Sequence, residues 1–141
     1  MDRSLKLTLA LLLTVAITAC GSDAPKGGLT VNYTGFDAFS GKKIELRVKD
    51  SGGSSRLGTA TTTVTANGTF TLQVAGVLEA GKNYRADFYL DTNANNDYTA
   101  PVQGPPIQYP DQQWRLPVTG NVAGVQVDFA YNTNWTDISP F

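Results

Sequence analysis

The sequence contains no histidine, and its 141 residues include one cysteine and one methionine. Without histidine or a spare thiol, a Ser-His-Asp triad, a Cys-His pair and ordinary zinc catalysis are excluded. One cysteine closes no intrachain disulfide, so packing, or packing with a metal, has to hold the fold. Charge is sparse and nearly balanced, with 11 Lys and Arg against 12 Asp and Glu and a net charge of −1. That balance carries no overall electrostatic footprint for nucleic acid or an anionic membrane surface, and no nucleic-acid partner is expected. No Gly-rich loop follows a strand and opens a helix, so a nucleotide-phosphate cradle is not expected either. No apolar run reaches the ~20 residues of a membrane-spanning helix. Nor does the pattern support an amphipathic helix of useful length.

What is present begins with an address. Arg3 and Lys6 precede an apolar stretch over residues 7–17, interrupted only by Thr8 and Thr14, and Ile17-Thr18-Ala19-Cys20 closes it. A basic start, a short apolar run and small residues at a cleavage point form an export signal. With cysteine at that point, the segment resembles the bacterial lipoprotein signal. The resemblance implies a diacylglyceryl group on Cys20, removal of residues 1–19, and attachment to a membrane through that lipid. The bland alternative is an ordinary secretory signal with a chance cysteine. Gly21 after the cysteine resembles an outer-membrane sorting pattern, so the expected location is the bacterial cell envelope, at the outer membrane if the cell is Gram-negative. Residues 20–28 then read as lipidated cysteine and flexible tether, and 29–141 as one domain.

The domain reads as strands. In Lys43–Lys49, Ile44, Leu46 and Val48 alternate with charged residues, which predicts one buried and one wet face. Further strands are expected at Leu29–Phe36, Leu57–Thr65, Thr69–Val74, Arg85–Leu90, Trp114–Val118 and Gly124–Tyr131. Asn67-Gly68 predicts a tight hairpin between two of them. Leu78, the Gly81 turn and Tyr84 resemble the tyrosine corner of Greek-key sandwiches, in which the Tyr hydroxyl bonds backbone just upstream. The expected fold is all-β: a single Greek-key β-sandwich of about seven strands, immunoglobulin-like or transthyretin-like.

Between Leu90 and Trp114 lies a long loop, and loops of this length in compact domains are usually functional or disordered. Asp91, Asn93, Asn95 and Asp97 place oxygen side chains at alternate positions, which suits the hard-oxygen shell of calcium. The segment resembles the first half of an EF-hand or dockerin loop, with Asp111 as a candidate to close the shell. Asn96 stands where such loops carry Gly, and Val102 where they carry a closing acid. The competing reading is a run of Asx turns, since Asp and Asn also bond their own backbone. Prolines at 101, 105, 106 and 110 stiffen the rest of the loop. Tyr98 and Tyr109, with Trp114 at the loop exit, could form an aromatic platform for sugar or peptide; the alternative is that they serve packing.

Asp91–Pro101, Asp111–Leu116 and Asn132–Ile138 together resemble a poorly characterised bacterial exported β-sandwich family. Histidines expected in such relatives near Gln112 and Tyr131 have no counterpart here, so no histidine-based metal role carries over. The sequence therefore predicts a noncatalytic, lipid-anchored envelope sandwich with a structural or ligand-binding role, its 91–113 loop ordered by calcium or by its own turns. Its expected partners are the membrane and an envelope protein or glycan. A carbohydrate-binding module using the loop aromatics is the alternative, and an enzyme a remote third.

Overall fold

A computed structural model describes residues 23–141, which form seven strands and one short 3-10 turn. The expected signal over 1–19 and the candidate lipid site Cys20 lie outside the described residues. The strands are β1 (Gly27–Thr34), β2 (Lys43–Asp50), β3 (Arg56–Thr63), β4 (Phe70–Leu78), β5 (Asn83–Leu90), β6 (Gln112–Thr119) and β7 (Val125–Ala130). They make two sheets, ordered β4-β1-β7 and β3-β2-β5-β6. β1 runs antiparallel to β4 and parallel to β7, and every pairing in the other sheet is antiparallel. After the β2-β3 hairpin the chain visits the first sheet as β4 and returns as β5 beside β2, which is a Greek-key path.

The period-two pattern explains the core. Leu29, Val31 and Tyr33 of β1 meet Ile44, Leu46 and Val48 of β2 and Ala86, Phe88 and Leu90 of β5 in one buried cluster. Aromatic rings fill its centre. Tyr33 stacks on Phe70 with centroids 4.7 Å apart, and Phe88 stacks on Trp114 at 5.4 Å. Such pairs each add about 1 kcal/mol beyond the area they bury.

Two connections illustrate how local chemistry and tertiary context combine. The Tyr84 hydroxyl accepts the Glu79 N–H at 2.8 Å, so the tyrosine corner forms and pins the crossover from β4 to β5. The hairpin expected at Asn67-Gly68 does not form, because β3 and β4 belong to different sheets. Those residues instead make a sheet-to-sheet turn, and Asn67 Oδ1 accepts the Thr69 N–H. Gly68 is required there for another reason: its φ is +68°, and a Cβ would sit 2.1 Å from the Asp37 nitrogen. A further shift concerns the tether: Gly27 and Gly28, expected within it, open β1.

The sandwich has two distinct poles. β1 starts beside the ends of β4 and β6, where Gly27 pairs with Leu78 and Asn83 with Thr119. At the other pole Asp91 donates its N–H to the Lys43 carbonyl and Tyr131 to that of Thr34. An eight-residue strand spans about 25 Å. The long loop thus emerges about that far from the point where the chain enters the domain.

Candidate functional site

The loop between β5 and β6 is built around two buried carboxylates. Asp91 and Asp111 are both buried. Asp91 accepts the N–H groups of Asn95 at 3.2 Å and Asn96 at 2.8 Å. Asp111 accepts those of Thr92 at 3.1 Å and Thr99 at 2.7 Å. Each carboxylate oxygen therefore holds a backbone donor, and the chain curls around both. Burial pushes the Asp111 carboxyl above its ordinary range, and the facing charge of Asp91 adds to that push. The bonds from Thr99 and Thr92 act in the opposite direction.

The other candidate calcium ligands lie further out. Asn93 Oδ1 accepts the Asn95 N–H and Asn95 Oδ1 the Asp97 N–H, as Asx turns do. The amide groups of Asn93 and Asn95 both donate to Thr99 Oγ1. Asp97 is exposed and accepts the Tyr98 N–H. Ala94 and Asn96 take φ of 60° and 66°, so the curl reaches the left-handed region without glycine. The structure thus brings Asp91 and Asp111 together and leaves Asp97 at the rim. Among the described residues, no group of three or more acidic, histidine or cysteine side chains is placed to hold a metal.

The three aromatic candidates are separated. Trp114 is 2% exposed and faces the core, with its Nε1 donating to the Asn132 carbonyl at 3.2 Å. Its ring packs against Phe36, Phe88 and Phe129 and presents no face to solvent. The cause is register: Trp114 lies opposite Phe88, an inward position of β5. Tyr98 lies under Phe141, and its hydroxyl donates to Gln113 Oε1 at 2.9 Å. Tyr109 instead packs against Trp135, with centroids 5.6 Å apart. The aromatic pair on this flank is Tyr109 with Trp135.

The largest departure from the sequence expectation is on the outer face of β2 and β5. On β2 the alternating charged residues predict a wet face, yet Glu45 is 8% exposed and Lys49 5%, and Asp87 beside them on β5 is 0% exposed. Arg85 and Arg115 enclose Asp87, and the chain after β7 lies on the rest of this face. Thr136 donates its N–H to the Gln113 carbonyl, and Ile138 donates to Gln113 Oε1 at 3.1 Å. The Lys49 ammonium donates to the Pro140 carbonyl, and the Arg47 guanidinium lies 3.9 Å from the centre of the Phe141 ring. Gln113 and Ile138 are wholly buried as a result. Gln113 is the joint: one amide oxygen receives donors from the long loop and from the tail.

Sequence reasoning missed Asp87 and Gln113 as structural partners; for the tail it left open a continued last strand or a fold-back beside the long loop, and the fold-back is what forms. The available signal was the apolar and aromatic content of 135–141, at Trp135, Ile138 and Phe141. Comparison of the chain with protein-family models, with curated proteins and with solved structures finds no match.

Proposed function

We propose that this protein is a noncatalytic, lipid-anchored cell-envelope β-sandwich whose working end is the long loop and the tail laid beside it. One observation supports this reading above others. The loop and tail are interlocked through Gln113 at the pole away from the chain's entry into β1. A membrane attachment at Cys20 would leave that end facing outward. A pre-organised loop loses little entropy on binding, which favours recognition by a rigid surface.

The carbohydrate-binding alternative moves to Tyr109 and Trp135, since tilted aromatic neighbours on an outer flank offer ring faces to a sugar. Calcium retains a role in this reading only as a ligand of the Asp91–Asp111 pair, where a cation would offset the repulsion between two buried carboxylates. Because the Asp111 carboxyl is held above its ordinary range, protons would displace such a cation earlier on acidification than at an ordinary aspartate.

Two experiments test the reading. Cys20→Ser should move the protein from the membrane fraction to the soluble one; unchanged membrane association would overturn the lipid anchor. Residues 21–141 should be retained on at least one member of a panel of envelope polysaccharides, with retention lost in Trp135→Ala. No retention anywhere would leave a structural role and remove the sugar. A thermal melt with calcium and then chelator, using Asp91→Asn/Asp111→Asn as control, decides the metal. A rise in Tm that the double variant loses would establish it, and no shift at millimolar calcium would eliminate it.

A further inference from the structure

The outer face of the four-stranded sheet carries a concentration of positive charge that the chain's net charge of −1 conceals. Arg47, Asp87 and Arg115 stand opposite one another across β2, β5 and β6, and Lys49 stands opposite Arg85 in the next outward row. Strands lie about 4.8 Å apart and outward positions about 7 Å apart along each strand, so these groups share a patch about 10 Å across. The side-chain carboxylates within it are Asp87 and Glu45. Asp87 serves two guanidiniums: Arg115 donates to it at 2.7 and 3.1 Å, and Arg85 at 3.0 Å. Glu45 is shared between Arg47 at 2.8 Å and Lys43 at 3.3 Å. Among the described residues, Lys49 has only the Pro140 carbonyl.

We propose that this face binds a multiply charged oxyanion of the phosphate type, held by Arg85, Arg115 and Lys49. The site goes beyond the loop-and-tail reading and does not depend on it: it adjoins the tail at Lys49 and Pro140, but its guanidiniums belong to β5 and β6 and it needs neither the lipid anchor nor the sugar.

Three features support it. The positive charge is under-neutralised: each carboxylate is shared by two cations, and a buried ammonium meets a carbonyl instead of an anion. Burial pushes Lys49 below its ordinary range, and the charges of Arg85, Arg47 and Arg115 add to that against Asp87. A protein gains little by gathering five cations, Lys43, Arg47, Lys49, Arg85 and Arg115, around two carboxylates unless something anionic joins them. Second, donors are left over. Arg85 uses one Nη2 hydrogen for Asp87, while its Nε is buried and has no partner among the described residues. Unbonded buried donors are rare in folded proteins. Third, the guanidinium is held in place. Gly53, at φ +72°, lies so close that a Cβ there would fall 2.2 Å from Arg85 Nη1. The β2–β3 turn therefore cradles Arg85 with backbone. Access is through Arg85 and Arg115, whose side chains remain 19% and 26% exposed. Guanidinium forks match the oxygen spacing of phosphate, and Lys49 adds a point charge.

The test uses residues 21–141, which contain all seven strands and the whole buried cluster. Inorganic phosphate is titrated against chloride at constant ionic strength, and the melt is followed. The site predicts a saturable rise in Tm of about 5 °C with phosphate and none with chloride, since a ligand that binds only the folded state stabilises it by mass action. Arg85→Gln should abolish that rise while leaving the Asp87–Arg115 pair in place. An equal rise in both salts, or a phosphate rise that survives in Arg85→Gln, would overturn the site and leave only screening of like charges. Should the variant fail to fold, the Arg85 Nε–H resonance of the unaltered protein decides: a saturable shift with phosphate supports the site, and an unmoved resonance refutes it. Vesicles then separate the two sources of such a group. Co-sedimentation with phosphatidylglycerol and not with phosphatidylcholine assigns it to a lipid headgroup, and phosphate binding without vesicle binding assigns it to a soluble phosphate ester.

Discussion

The outer faces of the two sheets have opposite characters. On the β4-β1-β7 sheet the outward residues are small and mostly uncharged, and they contact one another in short ladders: Asn32 donates to Asp128 at 2.8 Å, and Thr71 donates to Asn32 at 3.0 Å. On the β2-β5-β6 part of the other sheet, the outward residues are charged, and the tail and long loop cover many of them. Both faces follow the same alternation along their strands. What differs is whether another segment of chain lies on top. Polar residues at outward positions are thus bystanders on one face and structural members on the other.

That contrast can be broken or sharpened by substitution. Asp87→Ala should have the largest effect, destabilising the domain by about 4 kcal/mol, because Arg85 and Arg115 lose their shared buried partner. A chemical-denaturation curve checks it, and a loss under ~1 kcal/mol would mean that the covered face behaves like a surface. Gln113→Ala should cost about 2 kcal/mol, since the Ile138 N–H is left buried without its acceptor. Hydrogen exchange at Ile138 should accelerate far more than at Val31, a core position of β1; uniform acceleration would show that the tail unfolds only with the whole domain. Tyr84→Phe should cost about 1 kcal/mol by removing the acceptor for the Glu79 N–H, read as a Tm shift with an unchanged circular dichroism spectrum. Asp128→Asn on the bare face should change stability by less than ~0.5 kcal/mol. A larger loss there would erase the distinction between the faces.

Much of the fold was legible in the chain. The β2 pattern of Ile44, Leu46 and Val48 points inward as its period requires, and all seven strands lie close to their expected positions. The corner at Tyr84 was legible because its parts are near neighbours in sequence. The Asn67-Gly68 hairpin was misread for a related reason. Turn chemistry specifies a local bend, but whether the flanking strands pair depends on which sheet each one joins. Trp114 shows the same limit: its type suits a platform, and only its register opposite Phe88 turns it to the core. At the loop, the Asp and Asn spacing predicted either a calcium-centred curl or a run of Asx turns, and the turns at Asn93 and Asn95 are present. It did not foretell that backbone N–H groups would occupy every oxygen of Asp91 and Asp111.

By itself, the sequence determined the strand class, the inward faces and the places where the chain must bend. These follow from side-chain alternation and from backbone preferences that act over a few residues. Only the tertiary structure decided which outward face stays covered, that Asp87 serves two arginines, and that Gln113 joins the loop to the tail. Those contacts link β2 to the tail and β5 to β6 across long stretches of chain, as Lys49 and Pro140 illustrate. Their formation depends on how the sheets have already packed, because a buried charge or amide is stable only where its partners have been brought to it.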